Sequence, residues 1–203
     1  TIFSVVGICN AFNMLDGKDG LLGSVSVVVM SSLLLLLYFN GIVYQWAHIV
    51  ALSVLVYLAF NLSLFGSQRK IFLGDHGSTG LGHIIAWSLI FLSQETNFVT
   101  PVSALWFVLL PLTDAILTFI RRVKSSKSVF QGDRLHIHHR LSDKGFSNAT
   151  IVLICSFITI VGCSIAIFSN IFSSKEYLLF YGYTTLLVMF SLQGFLKPMQ
   201  DDS

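Results

Sequence analysis

Charged side chains are scarce in this sequence. Lys, Arg, Asp and Glu make up 11% of the 203 residues, whereas hydrophobic residues make up 54%. A soluble domain of this length usually carries about 25% charged residues. The mean hydropathy is also high, at +0.78. A soluble fold would need very long helices with almost no polar face, so the composition argues against a soluble globular protein.

Cysteine is also scarce, and its distribution gives no sign of a disulfide or metal framework. The three cysteines, Cys9, Cys155 and Cys163, lie within apolar stretches and lack the spacing of either. We expect them to be buried packing residues. The opening residues, TIFSVVGICNAF, lack the basic start and cleavage site of a signal peptide. They resemble the end of an apolar helix, so we expect the chain to be the C-terminal part of a longer protein.

Long apolar runs dominate the rest of the chain. Most reach the roughly 20 residues that a helix needs to cross a hydrocarbon core about 30 Å thick. The shortest run, 81–93, is expected to borrow flanking residues. The sequence therefore predicts an all-α fold, a polytopic transmembrane helical bundle that forms one integral membrane domain over residues 1–203. We expect about six full transmembrane helices plus the end of one at the N-terminus. The runs are 21–39, 46–65, 81–93, 102–120, 150–169 and 177–196.

Lysine and arginine are distributed unevenly between the segments that connect these runs. Of the 12 basic residues, all except Lys175 fall in one alternating set of connections. Cytoplasmic loops of membrane proteins carry an excess of Lys and Arg. We therefore expect this set to be cytoplasmic. It comprises residues 13–20, 66–80, 121–149 and the tail from 197.

The first polar motif is NAFNMLDGKDG, residues 10–20. Asn13, Asp16 and Asp19 are spaced by three, which places them along one stripe if a helix continues. Gly17 permits a turn or a close approach by a ligand. A polar helix end with Asp-Gly turns is the alternative interpretation.

The second motif is FLGDHGSTGLG, residues 72–82. Asp75 is flanked by glycines and followed by Ser78 and Thr79, an arrangement that suits a backbone loop around a phosphate or a cation. The motif is not a P-loop, because no Gly-Lys-Ser/Thr is present, and no strand precedes it as in a dinucleotide fingerprint. Helix capping by Ser78 or Thr79 is the alternative.

The third motif is QGDRLHIHHRL, residues 131–141. It crowds three histidines between two arginines: Arg134, His136, His138, His139 and Arg140. The spacing of the first two histidines would suit zinc on a strand, but no obvious third and fourth ligands exist outside the acidic motifs. Arg and His more naturally donate hydrogen bonds to phosphate oxygens.

The three motifs together predict one site if they lie at the same face of the membrane. Asp16, Asp19 and Asp75 would then repel one another, by about 3 kcal/mol for a pair about 5 Å apart at an effective dielectric constant of about 20. A divalent cation relieves that repulsion, and oxygen ligands favour Mg²⁺ over softer metals. Acids, a cation and basic side chains at a membrane surface indicate phosphoryl transfer that involves a lipid. A transporter would instead require charged residues near the middle of several helices.

The motifs NAFNMLDGKDGL, FLGDHGSTGLG and DRLHIHHRL resemble the signature loops of the polyprenyl-phosphate N-acetylhexosamine-1-phosphate transferases, glycosyltransferase family 4. PVSALWFVLLPLTD, residues 101–114, adds to the likeness, which runs from about residue 5 to 150. The closest resemblance is to the bacterial members that use N-acetylglucosamine and undecaprenyl phosphate. Phospho-N-acetylmuramoyl-pentapeptide transferase is a more distant relative.

The resemblance implies a multi-pass enzyme of the bacterial inner membrane with a cytoplasmic active site. Such enzymes move an N-acetylhexosamine 1-phosphate, here N-acetylglucosamine 1-phosphate or a similar group, from a UDP-sugar to undecaprenyl phosphate. They release UMP, require Mg²⁺ (Mn²⁺ could replace it) and start lipid-linked glycans such as O-antigen. The implied partners are the UDP-sugar, undecaprenyl phosphate and membrane lipid, with no nucleic acid; a homodimer is compatible with the sequence.

The resemblance also assigns roles to individual residues. Asp75 matches the acid that binds Mg²⁺, and Asp16 and Asp19 match a pair needed for activity. Asn13 and Asp16 match positions near the nucleotide. The loop that contacts the UDP-sugar corresponds to Arg134, His136, His138 and His139. Asp114 also has a matching acid, for which a role in the site and a plain ion pair with Arg121 or Arg122 remain alternatives.

One departure from the family pattern is an Asp-Asp pair expected in an earlier cytoplasmic loop. No such pair precedes Asn10, and Asp201-Asp202 follows the last helix and has no family match. The chain is therefore either part of the enzyme or a catalytically incomplete or degenerate form. In the second case it would at most bind lipid phosphate or a partner.

The predicted topology can be tested by cysteine labelling. In a variant without native cysteines, single cysteines at positions 16, 75 and 139 should react with a membrane-impermeant thiol reagent only from the cytoplasmic side. A cysteine at position 175 should react only from the other side. Labelling of positions 16, 75 and 139 from opposite sides would contradict a shared site.

Overall fold

The computed structural model describes residues 1–96, 98–124, 136–172 and 175–191, and these residues are helical apart from turns and short connections. They form nine α-helices and one short 3₁₀ helix, which confirms the predicted all-α class. The α-helices are α1 (Ile2–Leu15), α2 (Leu21–Phe39), α3 (Gln45–Asn61), α4 (Gly74–Gln94), α5 (Pro101–Phe107), α6 (Leu109–Lys124), α7 (Ile137–Asp143), α8 (Asn148–Ile171) and α9 (Glu176–Phe190); the 3₁₀ helix is Ser67–Arg69.

Two of the described helices, α2 and α8, are long and apolar enough to cross a membrane. The pair α5 and α6 gives a third crossing if it is counted as one span, and α1 and α3 are apolar but shorter. The predicted run 21–39 coincides with α2. The short run 81–93 is extended as expected, because α4 begins at Gly74 and ends at Gln94. The count of six crossings stays a prediction.

The run 102–120 does not form the single helix that its composition implies. It is divided into α5 and α6, whose axes meet at 88° beside Val108. Pro111 lies in the first turn of α6, and a proline has no N–H to bond the carbonyl of Phe107 four residues earlier. Instead, Cys163 Sγ of α8 lies 3.7 Å from that carbonyl oxygen. The Phe107 carbonyl at the break thus has the Cys163 thiol of α8 as a polar neighbour.

The bundle is held by close approach of helices at glycine. α1 packs mainly against α4, while α2 packs against α3 and α8. A Cβ at Gly82 would lie 2.9 Å from the backbone Cα of Cys9, so α4 can approach α1 this closely only without a side chain there. Phe12 and Leu15 are fully buried beside this contact. The tight α1–α4 pair carries the first and second polar motifs.

The three cysteines are free and buried, as the sequence predicted. Many large apolar side chains, in contrast, face outward from the helices, including Leu52, Leu55, Leu153 and Phe157. Helices that are apolar on the outside as well as the inside are typical of membrane spans. The surface of the described bundle therefore fits a lipid environment.

Polar side chains tie the connections at the end of the bundle that lies away from the three motifs. Asn170, near the end of α8, accepts a hydrogen bond from the Thr100 amide at 3.1 Å and donates one to Ser103 Oγ at 3.0 Å. Thr100 caps α5 by accepting from the Ser103 amide at 3.2 Å. These bonds fix the start of the broken helix against α8.

The tight contact at the break gives a matched test of packing. A Cβ at Gly162 of α8 would lie 2.5 Å from the Trp106 carbonyl oxygen, whereas a Cβ at Gly182 of α9 would lie 3.4 Å from the Trp106 ring. Gly162→Ala should lower the free energy of unfolding by about 1–3 kcal/mol. Gly182→Ala should leave it unchanged or raise it by up to about 1 kcal/mol through helix propensity. Equal thermal unfolding midpoints of the two variants in detergent would contradict this packing.

Candidate active site

The segments that carry the three polar motifs meet at one end of the bundle. They are the turn between α1 and α2, the first turn of α4, and α7. Asn13, in the last turn of α1, donates from Nδ2 to Ser78 Oγ at 2.9 Å. The same nitrogen lies 3.4 Å from the Asp75 carbonyl oxygen and 3.5 Å from Asp75 Oδ1. Asn13 therefore joins the first motif to the second.

The second motif forms the start of α4, and not the loop that its glycines suggested. Asp75 is in the first turn of α4, where the partial positive charge of a helix N-terminus favours an acid. Leu73 occupies the cap position, and neither Ser78 nor Thr79 caps the helix. The buried Ser78 donates to the Asp75 carbonyl oxygen at 3.1 Å. Asp75 itself is exposed at the surface of the bundle.

The turn between α1 and α2 is anchored by a buried asparagine that sequence analysis did not single out. Asn61 Oδ1 accepts from the Gly20 amide at 2.6 Å, and Asn61 Nδ2 donates to the Ile71 carbonyl at 2.9 Å. Gly20 has φ +79°, a left-handed conformation that favours glycine. A polar residue at the end of the apolar run 46–65 was the available signal. Asn61 thereby fixes the first motif against the segment that leads into the second.

Asp19 is paired with two further residues. Lys70 Nζ lies 2.5 Å from Asp19 Oδ2, and Asn148 Nδ2 donates to the Asp19 carbonyl at 3.0 Å. The ion pair is partly exposed, so its contribution to stability is small, about 0–1 kcal/mol. Its effect is on charge, because a cation from the segment before α4 faces a predicted catalytic acid.

The carboxylate of Asp16 interacts with the charges of both other acids. Partial burial raises the pKa of Asp16, and the negative charges of Asp75 and Asp19 raise it further. Asp16 therefore interacts electrostatically with both of the other predicted catalytic acids, as the joint interpretation of the motifs required. A bound cation would oppose this effect.

The third motif reaches the first through His138. A Cβ at Gly17 would overlap Nε2 of His138, so the imidazole can take this place only against a glycine. His138 is 1% exposed, and neither of its ring nitrogens has a hydrogen-bond partner in the described part of the chain. Burial, followed by the positive charge of His139, lowers the pKa of His138 to about 4. The imidazole is therefore neutral at pH 7 and available to a ligand or water.

The other members of the third motif surround His138. The ring of His136 is parallel to that of His138, with centroids 6.0 Å apart, and the His139 ring lies at 4.2 Å on a tilt. Lys18 adds a second link to the first motif by donating to Ser142 Oγ of α7 at 3.1 Å. The predicted substrate-binding residue Arg134 lies outside the described residues.

Asp114 of α6 contacts the third motif directly. Asp114 Oδ2 lies 2.9 Å from His136 Nδ1, and Asp114 Oδ1 accepts from the Ile137 amide at 2.9 Å. Both Asp114 and His136 are buried. These contacts join Asp114 to the third motif, and an ion pair with Arg121 or Arg122 stays an alternative.

A cavity of about 580 Å³ opens between the turn that follows α1 and the start of α4. Its size falls within the range of about 300–1,000 Å³ that is usual for small-molecule sites. Acids and a base share its wall: Asp16, Lys18, Asp19 and Asp75. The histidines are not among the lining residues, but His138 contacts the wall from behind at Gly17.

The acids fit a site for Mg²⁺ completed by substrate. No group of three or more His, Cys, Asp or Glu side chains among the described residues is arranged to hold a metal ion. Mg²⁺ usually binds through one or two carboxylates together with water and substrate phosphates, and not in an all-protein cage. The exposed Asp75, with Asp16 nearby, matches that pattern of oxygen donors.

Comparisons with known proteins agree with the motifs. The sequence model of glycosyl transferase family 4 matches residues 1–93. The undecaprenyl-phosphate alpha-N-acetylglucosaminyl 1-phosphate transferase of Escherichia coli (strain K12) is 35% identical over 199 residues, which cover 97% of this chain and 53% of the relative. The protein of the same name from Haemophilus influenzae is 37% identical over 194 residues, 94% of this chain and 55% of the relative.

A third protein of that name, from Salmonella typhi, is 36% identical over 199 residues, with coverage of 97% and 53%. The chain thus spans about half the length of the curated relatives that it matches. The match covers the whole described bundle, including the three motifs and α6. The chain belongs to glycosyl transferase family 4.

Proposed function

We propose that this protein transfers N-acetylglucosamine 1-phosphate, or a similar N-acetylhexosamine 1-phosphate, from a UDP-sugar to undecaprenyl phosphate at the cytoplasmic face of a bacterial inner membrane. The observation that carries the proposal is the convergence of three polar motifs at one end of an apolar helical bundle. Asn13 joins the first motif to Asp75, and His138 closes on Gly17. The names of the relatives support the choice of sugar and lipid.

The cavity wall supplies both signs of charge that a UDP-sugar and a cation require. Asn13 and Asp16 would lie near the nucleotide, where amide and carboxylate groups can bond the base or ribose. Lys18 and Lys70 bring positive charge to the same region and can face the diphosphate. Since its buried imidazole is neutral, His138 can donate one hydrogen bond and accept another without the cost of desolvating a charge.

Mg²⁺ would be held by Asp75, with Mn²⁺ as the substitute that the same oxygen donors accept. Bound there, the ion would supply neutralisation of the negative charge on the diphosphate and leaving group. Asp16 and Asp19 flank this position, and their mutual repulsion with Asp75 is what a cation would relieve. In this structure the Asp19 carboxylate is paired with Lys70.

The reaction exchanges one P–O bond for another. An oxygen of undecaprenyl phosphate attacks the sugar-linked phosphorus, and the bond from that phosphorus to the bridging oxygen breaks, so that UMP leaves with that oxygen. Arg134, His136 and His139 would bind the phosphate oxygens as charge shifts toward UMP. Most of the rate enhancement should come from positioning and electrostatics. A two-step route would differ by passing through a phosphorylated aspartate.

A direct test replaces the proposed metal ligand. Asp75→Asn should reduce transfer of labelled phosphosugar into extractable lipid by at least about 100-fold, because it removes a charged contact to the reacting groups. Membrane insertion should not change, since Asp75 is exposed. The matched control is Glu95→Gln, the same acid-to-amide change at the far end of α4, which should keep activity.

The assay is run with UDP-N-acetylglucosamine and UDP-N-acetylgalactosamine, each with and without Mg²⁺. Activity of Asp75→Asn close to wild type would refute the assignment of Asp75. Absence of transfer by the wild-type chain, with retained binding of undecaprenyl phosphate, would support the alternative that this chain alone is catalytically incomplete.

A further inference from the structure

Asp114 and His136 form a buried pair, and Asp114 has no role in the proposed reaction so far. The 88° break at Val108 turns α6 so that its first turns pass beneath the start of α7. Asp114 and Thr118, one helical turn apart, both face His136, at 2.9 and 3.5 Å from Nδ1. The carboxylate is therefore the shorter contact of that nitrogen.

The two hydrogen bonds of Asp114 determine the proton arrangement of His136. A carboxylate that accepts from the Ile137 amide through Oδ1 is an acceptor at Oδ2 as well. Nδ1 of His136 must then carry a proton, and in the neutral ring Nε2 is the nitrogen that accepts a hydrogen bond. Because Asp114 and His136 are 6% exposed, water competes little for either bond.

The same carboxylate also fixes the helix that carries the other histidines. Ile137 is the first residue of α7, and its amide is one of those that a helix start leaves without an internal partner. Asp114 satisfies that amide from another helix. The positions of His138 and His139, one and two residues further on, thus depend on a contact with α6.

We propose that Asp114 is a positioning residue with two effects. It holds His136 with Nδ1 protonated, which leaves Nε2 as the hydrogen-bond acceptor, and it anchors α7 at the site. The role of His136 in the reaction rests on the proposed function. The hydrogen bond between Asp114 and His136 does not, and the tautomer that it selects can be measured separately.

The activity test uses Asp114→Asn, which keeps the shape of the side chain. Its amide oxygen can still accept from the Ile137 amide, but its NH₂ group would face Nδ1 and favour the opposite tautomer. Transfer of labelled phosphosugar should fall by at least about 100-fold, the scale of effect that a wrong tautomer has in other enzymes. The thermal unfolding midpoint should change little.

The matched control is Thr113→Val, the neighbouring position of α6. Thr113 is also buried and shares a hydrogen bond of 3.3 Å with Tyr183 of α9, away from His136. This variant loses a buried bond of α6 and should keep transfer within a few-fold of wild type. An equal loss in Thr113→Val and Asp114→Asn would overturn the positioning role.

A spectroscopic test reads the tautomer without any activity. Nitrogen-15 NMR of the purified full chain in detergent, under conditions in which the spectrum shows a neutral His136 ring, should show that ring protonated at Nδ1. The signal is assigned by its loss in His136→Gln. Asp114→Asn should shift the ring toward protonation at Nε2. Protonation of wild-type His136 at Nε2 would overturn the inference even if transfer is normal. If the wild-type chain shows no transfer, the proposed function fails, and the tautomer measurement alone tests the positioning role of Asp114.

Discussion

The polar side chains of the connecting segments need hydrogen-bond partners at the end of an apolar bundle, and this constraint shapes the site. An unpaired polar group within a hydrocarbon core costs several kcal/mol. The polar side chains of the connecting segments therefore bond one another at a shared end. Asn13 bonds Ser78, Asn61 bonds Gly20, and Lys70 bonds Asp19. Each bond crosses between segments that are distant in sequence, so the network that satisfies these polar groups also assembles the site.

Glycine and proline set how closely the supporting helices can come. Gly82 brings α4 against α1, and this pair positions Asp75 near Asn13. Gly162 brings α8 against the break beside Val108, and Pro111 favours that break. The break in turn points α6 beneath α7 and places Asp114 at His136. The geometry of the third motif therefore depends on packing well inside the apolar bundle.

The sequence predicted the parts of the fold that depend on local composition. The apolar runs gave the helical class and the bounds of α2, and the burial of the cysteines followed from their apolar neighbours. The motifs were recognised from residue type and spacing, and the structure brings the first and second together at Asn13. That α4 extends beyond its apolar run also followed from the shortness of that run, whereas its start at Gly74 did not.

The remaining features depend on tertiary contacts that no local pattern reports. The 88° break was missed because the run 102–120 is mostly apolar along its length, although Pro111 was an available signal. The contact of Asp114 with His136 could not be predicted from sequence, since the two residues are 22 positions apart along the chain. The pairing of Lys70 with Asp19 joins two connecting segments that are 51 residues apart along the chain. Arg134 lies outside the described residues, so its predicted role stays a prediction.

The central claim is that α7 and the turn after α1 form one site, and crosslinking tests it most directly. Without native cysteines, Lys18→Cys/Ser142→Cys should be joined within one chain by a short bifunctional thiol reagent, because Lys18 Nζ and Ser142 Oγ are 3.1 Å apart. Lys18→Cys/Lys175→Cys is the control, and mass spectrometry of the digest identifies the linked peptides. The account expects a crosslink in the first pair alone. No crosslink in that pair, or equal yields in both, would contradict it.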